Sequence, residues 1–304
     1  MSNDGICGGR AVARITALAA CAALPLLLQP IAAMAATPWI SGARNNDATV
    51  PFATWRGTPL GVVSGWINWQ DGWAGMNDYA SGSSPRTLRK KSSNVSFGHG
   101  LFPQGGTLAA CAKGAYDTQH REVARRLADN GVGDAEIRLG WEANGNWFPW
   151  TAVGHPAADW RDCFTRIAKV MKATAPKLRI CWSMAKKGRV DVRTLWPKDA
   201  PITNICLSHY DDAYDRFGNE TYLGGPWGLR AWLAYARSNK RKLAFGEWGV
   251  GRAGDNPQYI QQMYDFLKEA GNDLAHEAYF NTGVYQLYPV GPNPRSSALY
   301  KQLF

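Results

Sequence analysis

The chain has 304 residues, 45% of them hydrophobic, and its 34 Lys and Arg outweigh 24 Asp and Glu to give a formal net charge of +10. That length suits one large domain of the ~250-residue barrel class, and beyond the first 35 residues no stretch approaches the ~20 apolar residues of a membrane span, so stable membrane insertion is not expected. A basic balance favours anionic partners such as acidic polysaccharides or membrane surfaces, but no motif for reading nucleic acid accompanies it, and nucleic acid is not expected as a partner.

Residues 1–35 read as a secretory leader. Arg10 and Arg14 precede an almost wholly apolar run over residues 15–28, and Ala33-Met34-Ala35 offers the small side chains of a cleavage site. The expectation is an exported protein, secreted or periplasmic, whose working part is residues 36–304. Cys7 and Cys21 fall in the leader, leaving Cys111, Cys163, Cys181 and Cys206 with three possible pairings. Cys111 with Cys163 is the expected disulfide, because both fall on predicted outer helices in an oxidising compartment. Cys181 and Cys206 fall in predicted strands and read equally well as buried thiols. Their spacing matches no zinc pattern, so no metal is expected.

Short apolar runs alternate with amphipathic stretches along the rest of the chain. Eight strands are predicted, over residues 39–43, 60–66, 94–98, 135–140, 178–184, 202–208, 242–247 and 278–285. Residues 81–86 read as a polar loop. A helix over 118–130 is closed by Gly131, and one over 159–172 carries Trp160, Cys163, Phe164, Ile167 and Met171 on one face. Asn256 followed by Pro257 starts a third, with Ile260, Met263, Tyr264 and Leu267 as its buried stripe. This alternation of strand and helix is that of an α/β protein with a parallel sheet, here a single (β/α)8 TIM barrel. Arg89-Lys90-Lys91 and the cluster Arg237, Lys240, Arg241, Lys242 read as solvated surface. Lys186, Lys187 and Arg189 follow the fifth strand, on the face where a barrel places its site.

The fourth strand runs into Arg138-Leu-Gly-Trp141-Glu142-Ala-Asn144-Gly-Asn-Trp147-Phe-Pro-Trp150, which delivers one carboxylate into a floor of indole rings. Sugar C–H faces stack on aromatic planes and a glycosidic oxygen needs a proton donor, so Glu142 suits chemistry on a carbohydrate. A second carboxylate comes from Lys242-Leu-Ala-Phe-Gly-Glu247-Trp248-Gly249, again strand, acid, loop. The C-terminal ends of barrel strands converge on one face, which brings residues distant in sequence together. Trp66 and Trp69 after the second strand and Trp248 after Glu247 are candidate sugar platforms. Gln70, Asp71 and His99 are candidate hydrogen-bonding groups for hydroxyls. His99 and His209 read as cleft-lining or structural rather than as proton shuttles.

Acids ending strands four and seven resemble the clan of retaining glycosidases built on this barrel. Within it the chain is similar to glycoside hydrolase family 26, best known for β-mannanases, on four segments: Glu142 to Trp150, Cys181-Trp182-Ser183, Trp196-Pro-Lys-Asp199 leading into residues 202–211, and Gly246-Glu-Trp-Gly249. The resemblance implies Glu142 as acid/base, Glu247 as nucleophile, and Tyr210, flanked by His209, as a hydrogen-bond donor to it. Trp147 and Trp182 resemble positions lining the sugar cleft, and Asn144 belongs to the same segment as the acid/base. Trp141 stands where family mannanases usually carry His, which puts mannan specificity in doubt. The expected activity is retaining, endo-acting hydrolysis of β-glycosidic bonds in a polysaccharide, mannanase-like or directed at a bacterial exopolysaccharide, without a cofactor. The rivals are a barrel that binds carbohydrate without turnover and a lyase acting on an acidic polymer.

Overall fold

The computed structural model describes residues 37–211, 227–289 and 291–304; the expected leader over residues 1–35 lies outside them. Eight parallel strands, β1 (Ser41–Arg44), β2 (Val62–Trp66), β3 (Val95–His99), β4 (Glu136–Leu139), β5 (Arg179–Ala185), β6 (Ile202–Tyr210), β7 (Lys242–Gly249) and β8 (Leu274–Tyr279), follow one another around a closed barrel. β8 pairs back to β1 through Ser41, Gly42 and Ala43. Outside the strands lie α1 (Thr49–Arg56), α2 (Gly72–Ser81), α3 (Ser84–Lys91), α4 (Leu108–Ala112), α5 (Asp117–Asp129), α6 (Ala157–Thr174), α7 (Leu229–Ser238), α8 (Pro257–Ala270) and α9 (Pro294–Leu303). The chain therefore forms the expected (β/α)8 barrel. No helix among the described residues is long and apolar enough to cross a membrane.

The helix signals act as their chemistry requires. Trp160, Cys163, Phe164, Ile167 and Met171 of α6 are all buried, since side chains three and four apart share the face that meets the sheet. The side-chain oxygen of Asn256 accepts from the Tyr259 N–H and Pro257 occupies the first turn of α8, where its missing N–H costs nothing. Gly131 turns the chain after α5 with φ of 73°.

Two expectations are corrected. The eighth strand lies at Leu274–Tyr279, not over 278–285, and Gly283–Tyr285 is a 3₁₀ turn. His276 and Glu277 hid it, because both are buried polar residues in a short strand. The segment at 81–86 is only briefly a loop: α3 starts at Ser84, with Pro85 in its first turn. Its buried side are only Pro85 and Leu88, too few to display a helical period.

Alternation along the strands sends every second side chain into the barrel. At its floor Glu136 accepts from Ser96 Oγ at 3.0 Å and Asn204 Nδ2 at 2.7 Å, and pairs with His276 Nε2 at 2.7 Å. Burial would push the Glu136 carboxyl up, but the His276 imidazole, Arg179 and the Asn204 amide together outweigh it and bring the carboxyl down to about 2. Beside it Cys181 and Cys206 are joined as a disulfide between β5 and β6, so the reading of these two as buried thiols is set aside. Glu136, Cys181 and Cys206 lie close enough to suggest a metal site, but both sulfurs are taken by that bond.

The expected Cys111–Cys163 disulfide is present and ties α4 to α6 across 52 residues. Closing a loop of that length removes denatured-state entropy, so Cys111→Ser combined with Cys163→Ser is expected to lower stability by about 2–4 kcal/mol in urea unfolding; an unchanged midpoint would show that the link constrains nothing.

Candidate active site

Glu142 and Glu247 face the same cleft of about 640 Å³ at the C-terminal mouth of the barrel. Glu247 sits near the end of β7, with Ser208 of β6 beside it in register. Its Oε1 accepts from Arg138 Nη1 at 2.9 Å and its Oε2 from the Tyr210 hydroxyl at 2.6 Å. Both carboxylate oxygens are thus fixed by groups on β4 and β6. Arg138 is fully buried; it also donates from Nη2 to the Gly65 carbonyl and lies 4.9 Å from the Trp66 ring centroid. Its stem needs the space left by Gly246, where an added Cβ would fall 2.2 Å from Arg138 Cδ. Tyr210 stays protonated, because burial first and the nearby Glu247 and Glu142 charges next push its hydroxyl well above 10.

Glu142 follows β4 in a tight turn and has φ of 57°. A non-glycine residue in that left-handed region is strained, typically by about 1–3 kcal/mol, and such strain collects at functional sites. The turn is pinned by the Glu142 N–H to the Ser183 carbonyl at 3.0 Å and by the Gly145 N–H to the Glu142 carbonyl at 2.9 Å. The half-exposed Trp147 indole donates to Glu142 Oε2 at 2.6 Å. Burial, then the Glu247 charge, raise the Glu142 carboxyl to about 7, against the opposing pull of the nearby Ser208 hydroxyl, the Trp147 N–H and Arg138. Glu142 is therefore easier to protonate than an ordinary glutamate, and it lies in the same cleft as a carboxyl bonded by Arg138 and Tyr210.

Aromatic rings wall this pair. Trp141, Trp147 and Trp69 line the cleft as expected, with Trp66, Phe148, Phe280 and Tyr285. Trp69 stands edge-on to Trp150 at 5.3 Å. Gln70 reaches the cleft, whereas Asp71 turns to accept from Asn68 Nδ2. Lys186 and Lys187 line it too; Arg189 does not.

Five expected binding residues lie elsewhere. Trp182 is fully buried on the outer side of β5, packed against Trp196 and Trp232, because Cys181 and Ser183 take the inward positions. Trp248 is likewise sent outward by the inward Glu247 and buries its ring against Tyr279 and Phe304, with its N–H on Glu277. Asn144 is buried and bonds both the carbonyl and the N–H of Ala185, tying the Glu142 turn to the end of β5. His99 meets His120 at 3.0 Å, and burial holds both imidazoles below their ordinary range, His120 at about 4. His209 stacks on Tyr259 and meets its hydroxyl at 2.6 Å, and burial lowers it as well. The sequence reading missed Arg138, Arg44, Arg252 and Phe280. Arg138 was open to discovery, since Glu136 and Arg138 alternate with apolar Ile137 and Leu139 and so point inward together.

No protein-family model matches the sequence, and no curated protein matches it. The fold is similar to solved structures. A modular endo-β-1,4-mannanase from Cellulomonas fimi, described as of glycoside hydrolase family 26, aligns with TM-score 0.65 at 17% identity over 87% of this chain and 70% of its own. The catalytic domain of a Bacillus sp. JAMB-750 GH26 endo-β-1,4-mannanase aligns with TM-score 0.63 at 13% identity, over 86% and 85%. A GH53 catalytic domain from Ignisphaera aggregans also aligns, with TM-score 0.57 at 13% identity over 80% and 85%. At these identities the likeness is one of fold.

The causes of the Glu142 shift fix two signs. Glu247→Gln removes a neighbouring negative charge and is expected to lower the pH at which Glu142 titrates, while Trp147→Phe removes a donor to the anion and is expected to raise it. Carboxyl ¹³C shifts followed against pH check both, and movement of either in the other direction contradicts the assignment.

Proposed function

We propose that the protein is a retaining, endo-acting glycoside hydrolase that cuts β-glycosidic bonds within a polysaccharide, with Glu142 as acid/base and Glu247 as nucleophile. The observation that carries this reading is two glutamates in unlike surroundings within one aromatic cleft, Glu247 bonded at both oxygens by Arg138 and Tyr210 and Glu142 held by the Trp147 indole. Glu142 is raised to about 7, while Glu247 is paired with a buried arginine. Such a difference assigns acid and nucleophile roles to two like groups. The barrel's likeness to the mannanases above agrees with it, as does the earlier resemblance of the sequence to family 26.

The steps follow from the groups present. A Glu247 oxygen attacks the anomeric carbon as Glu142 gives its proton to the departing glycosidic oxygen, forming a glycosyl ester; retaining enzymes hold the two carboxyls ~5–5.5 Å apart for this. Esterification removes the Glu247 charge that helped to raise Glu142. Ser208, Trp147 and Arg138, which favour its anion, are then opposed by burial alone, and the carboxyl becomes more acidic. Glu142 can now take a proton from the water that attacks the ester, restoring both residues. An open cleft walled by Trp69, Trp141 and Trp147 offers stacking faces for successive sugars. Two disulfides suit an oxidising compartment, so we further propose that the protein works outside the cytoplasm.

Because Glu142 must be protonated for the first step, kcat/KM is expected to fall as pH rises through about 7. Glu142→Gln is expected to lose roughly 10²–10⁴-fold of turnover, and ¹H NMR of the first product should show the β anomer. An α anomer as first product means inversion, and equal polymer binding with no turnover by the wild type, Glu142→Gln and Glu247→Gln alike identifies a binding protein instead.

A further inference from the structure

Arg44 ends β1 at the barrel mouth and lines the cleft. Its guanidinium lies over two rings, 4.7 Å from the Phe280 centroid and 5.3 Å from that of Trp66. Its Nε is buried without a hydrogen-bond partner, and among the described residues no carboxylate forms an ion pair with it. Burial disfavours its charge, opposed by Glu247 and Tyr210. The two rings stand at 87° to each other and shield part of the guanidinium from water where it lines the cleft.

The surroundings favour an anion there. Lys186, Lys187 and Arg252 line the same cleft, each engaged with other groups of the chain. Of the two carboxyls that the described residues bring to the cleft, Glu142 is shifted toward its neutral form and Glu247 is paired with Arg138. Among the described residues basic side chains thus outnumber acidic ones along the cleft, in a chain of net charge +10. A neutral sugar would offer Arg44 only hydroxyls. A uronate offers a planar carboxylate on the edge of the ring, matching a guanidinium in shape and charge, and a charge-assisted pair of this kind is about twice as strong as a neutral hydrogen bond.

We propose that Arg44 receives the carboxylate of a uronic acid unit close to the cleaved bond, so that the substrate is an acidic β-linked polysaccharide. This rests on the glycosidase reading and names its substrate class. Arg44 acts here as a specificity-determining residue, with no part in proton transfer.

The test uses the full chain, a β-1,4-linked mannuronan, a β-1,4-linked glucuronan and xanthan, each beside its carboxyl-reduced form, with a neutral β-mannan and a sulfated neutral glucan as further arms. Reducing-end release is measured for the wild type, Arg44→Met and Arg44→Lys, and calorimetric binding for Glu142→Gln. At least one uronate polymer is expected to be bound and cut, and carboxyl reduction to lower kcat/KM by roughly tenfold or more, mainly through KM. Arg44→Met should show the same loss on the acidic polymer and be indifferent to carboxyl reduction; Arg44→Lys should recover part of it. The proposal is overturned if the reduced polymer serves the wild type as well as its parent, if no uronate polymer binds, if the sulfated glucan is preferred, or if Arg44→Met weakens acidic and reduced forms alike. The carboxyl-reduction arm needs no variant and stands even should Arg44→Met misfold. Uronate polymers bound but never cut would uphold the carboxylate site and defeat hydrolysis, whereas efficient cleavage of neutral β-mannan would uphold hydrolysis and defeat the carboxylate site.

Discussion

The ion pair between Arg138 and Glu247 crosses the barrel interior from β4 to β7, and the rest of the site depends on it. Taking both charges out of water is costly, and the attraction between them about repays that cost, so the pair is poor evidence of stability. Its value is positional. Arg138 grips one oxygen of Glu247, Tyr210 grips the other, and the Gly65 carbonyl with the Trp66 face holds the guanidinium in turn. A carboxylate held at both oxygens has one orientation. The same pair bears on the electrostatics, since burial raises Glu142 first, the Glu247 charge adds to it and Arg138 is among the groups that oppose it.

Polar residues fill two levels of this barrel where branched apolar side chains are the common choice. The lower level is Ser96, Glu136, Asn204 and His276 around one carboxylate; the upper is Arg138 with Glu247. Glu136 and Arg138 are two apart on β4 and so share the inward face. Buried carboxylates this well bonded act as fixed points from which the strands are hung, and the chemistry is built on the upper one.

Much of this was legible from residues alone. Strand, acid, glycine-rich turn is a local pattern, and two copies of it at the ends of β4 and β7 located Glu142 and Glu247 before any coordinates. Tyr210 came with the resemblance, and its hydroxyl donates to Glu247. The tryptophans were harder, because hydrophobicity does not distinguish a core indole from a sugar platform. Strand parity does: with Ser183 and Glu247 inward, Trp182 and Trp248 must face the helices, and both do. Of the two readings open for His99 and His209, structural or cleft-lining, burial against His120 and Tyr259 favours the structural one, and Asn144 is taken up by the Ala185 backbone, partners that only tertiary structure supplies. Arg44 was out of reach, since β1 is four residues long and its stacking rings come from β2 and the segment after β8.

The left-handed backbone at Glu142 has a consequence for how such a protein changes over generations. Glycine would sit at that position more comfortably than glutamate, so drift toward a sturdier barrel would erase the acid first. A descendant carrying that single exchange would gain robustness while keeping the aromatic walls and the cations at the rim. The carboxyl at that position is thus kept against the backbone's own preference.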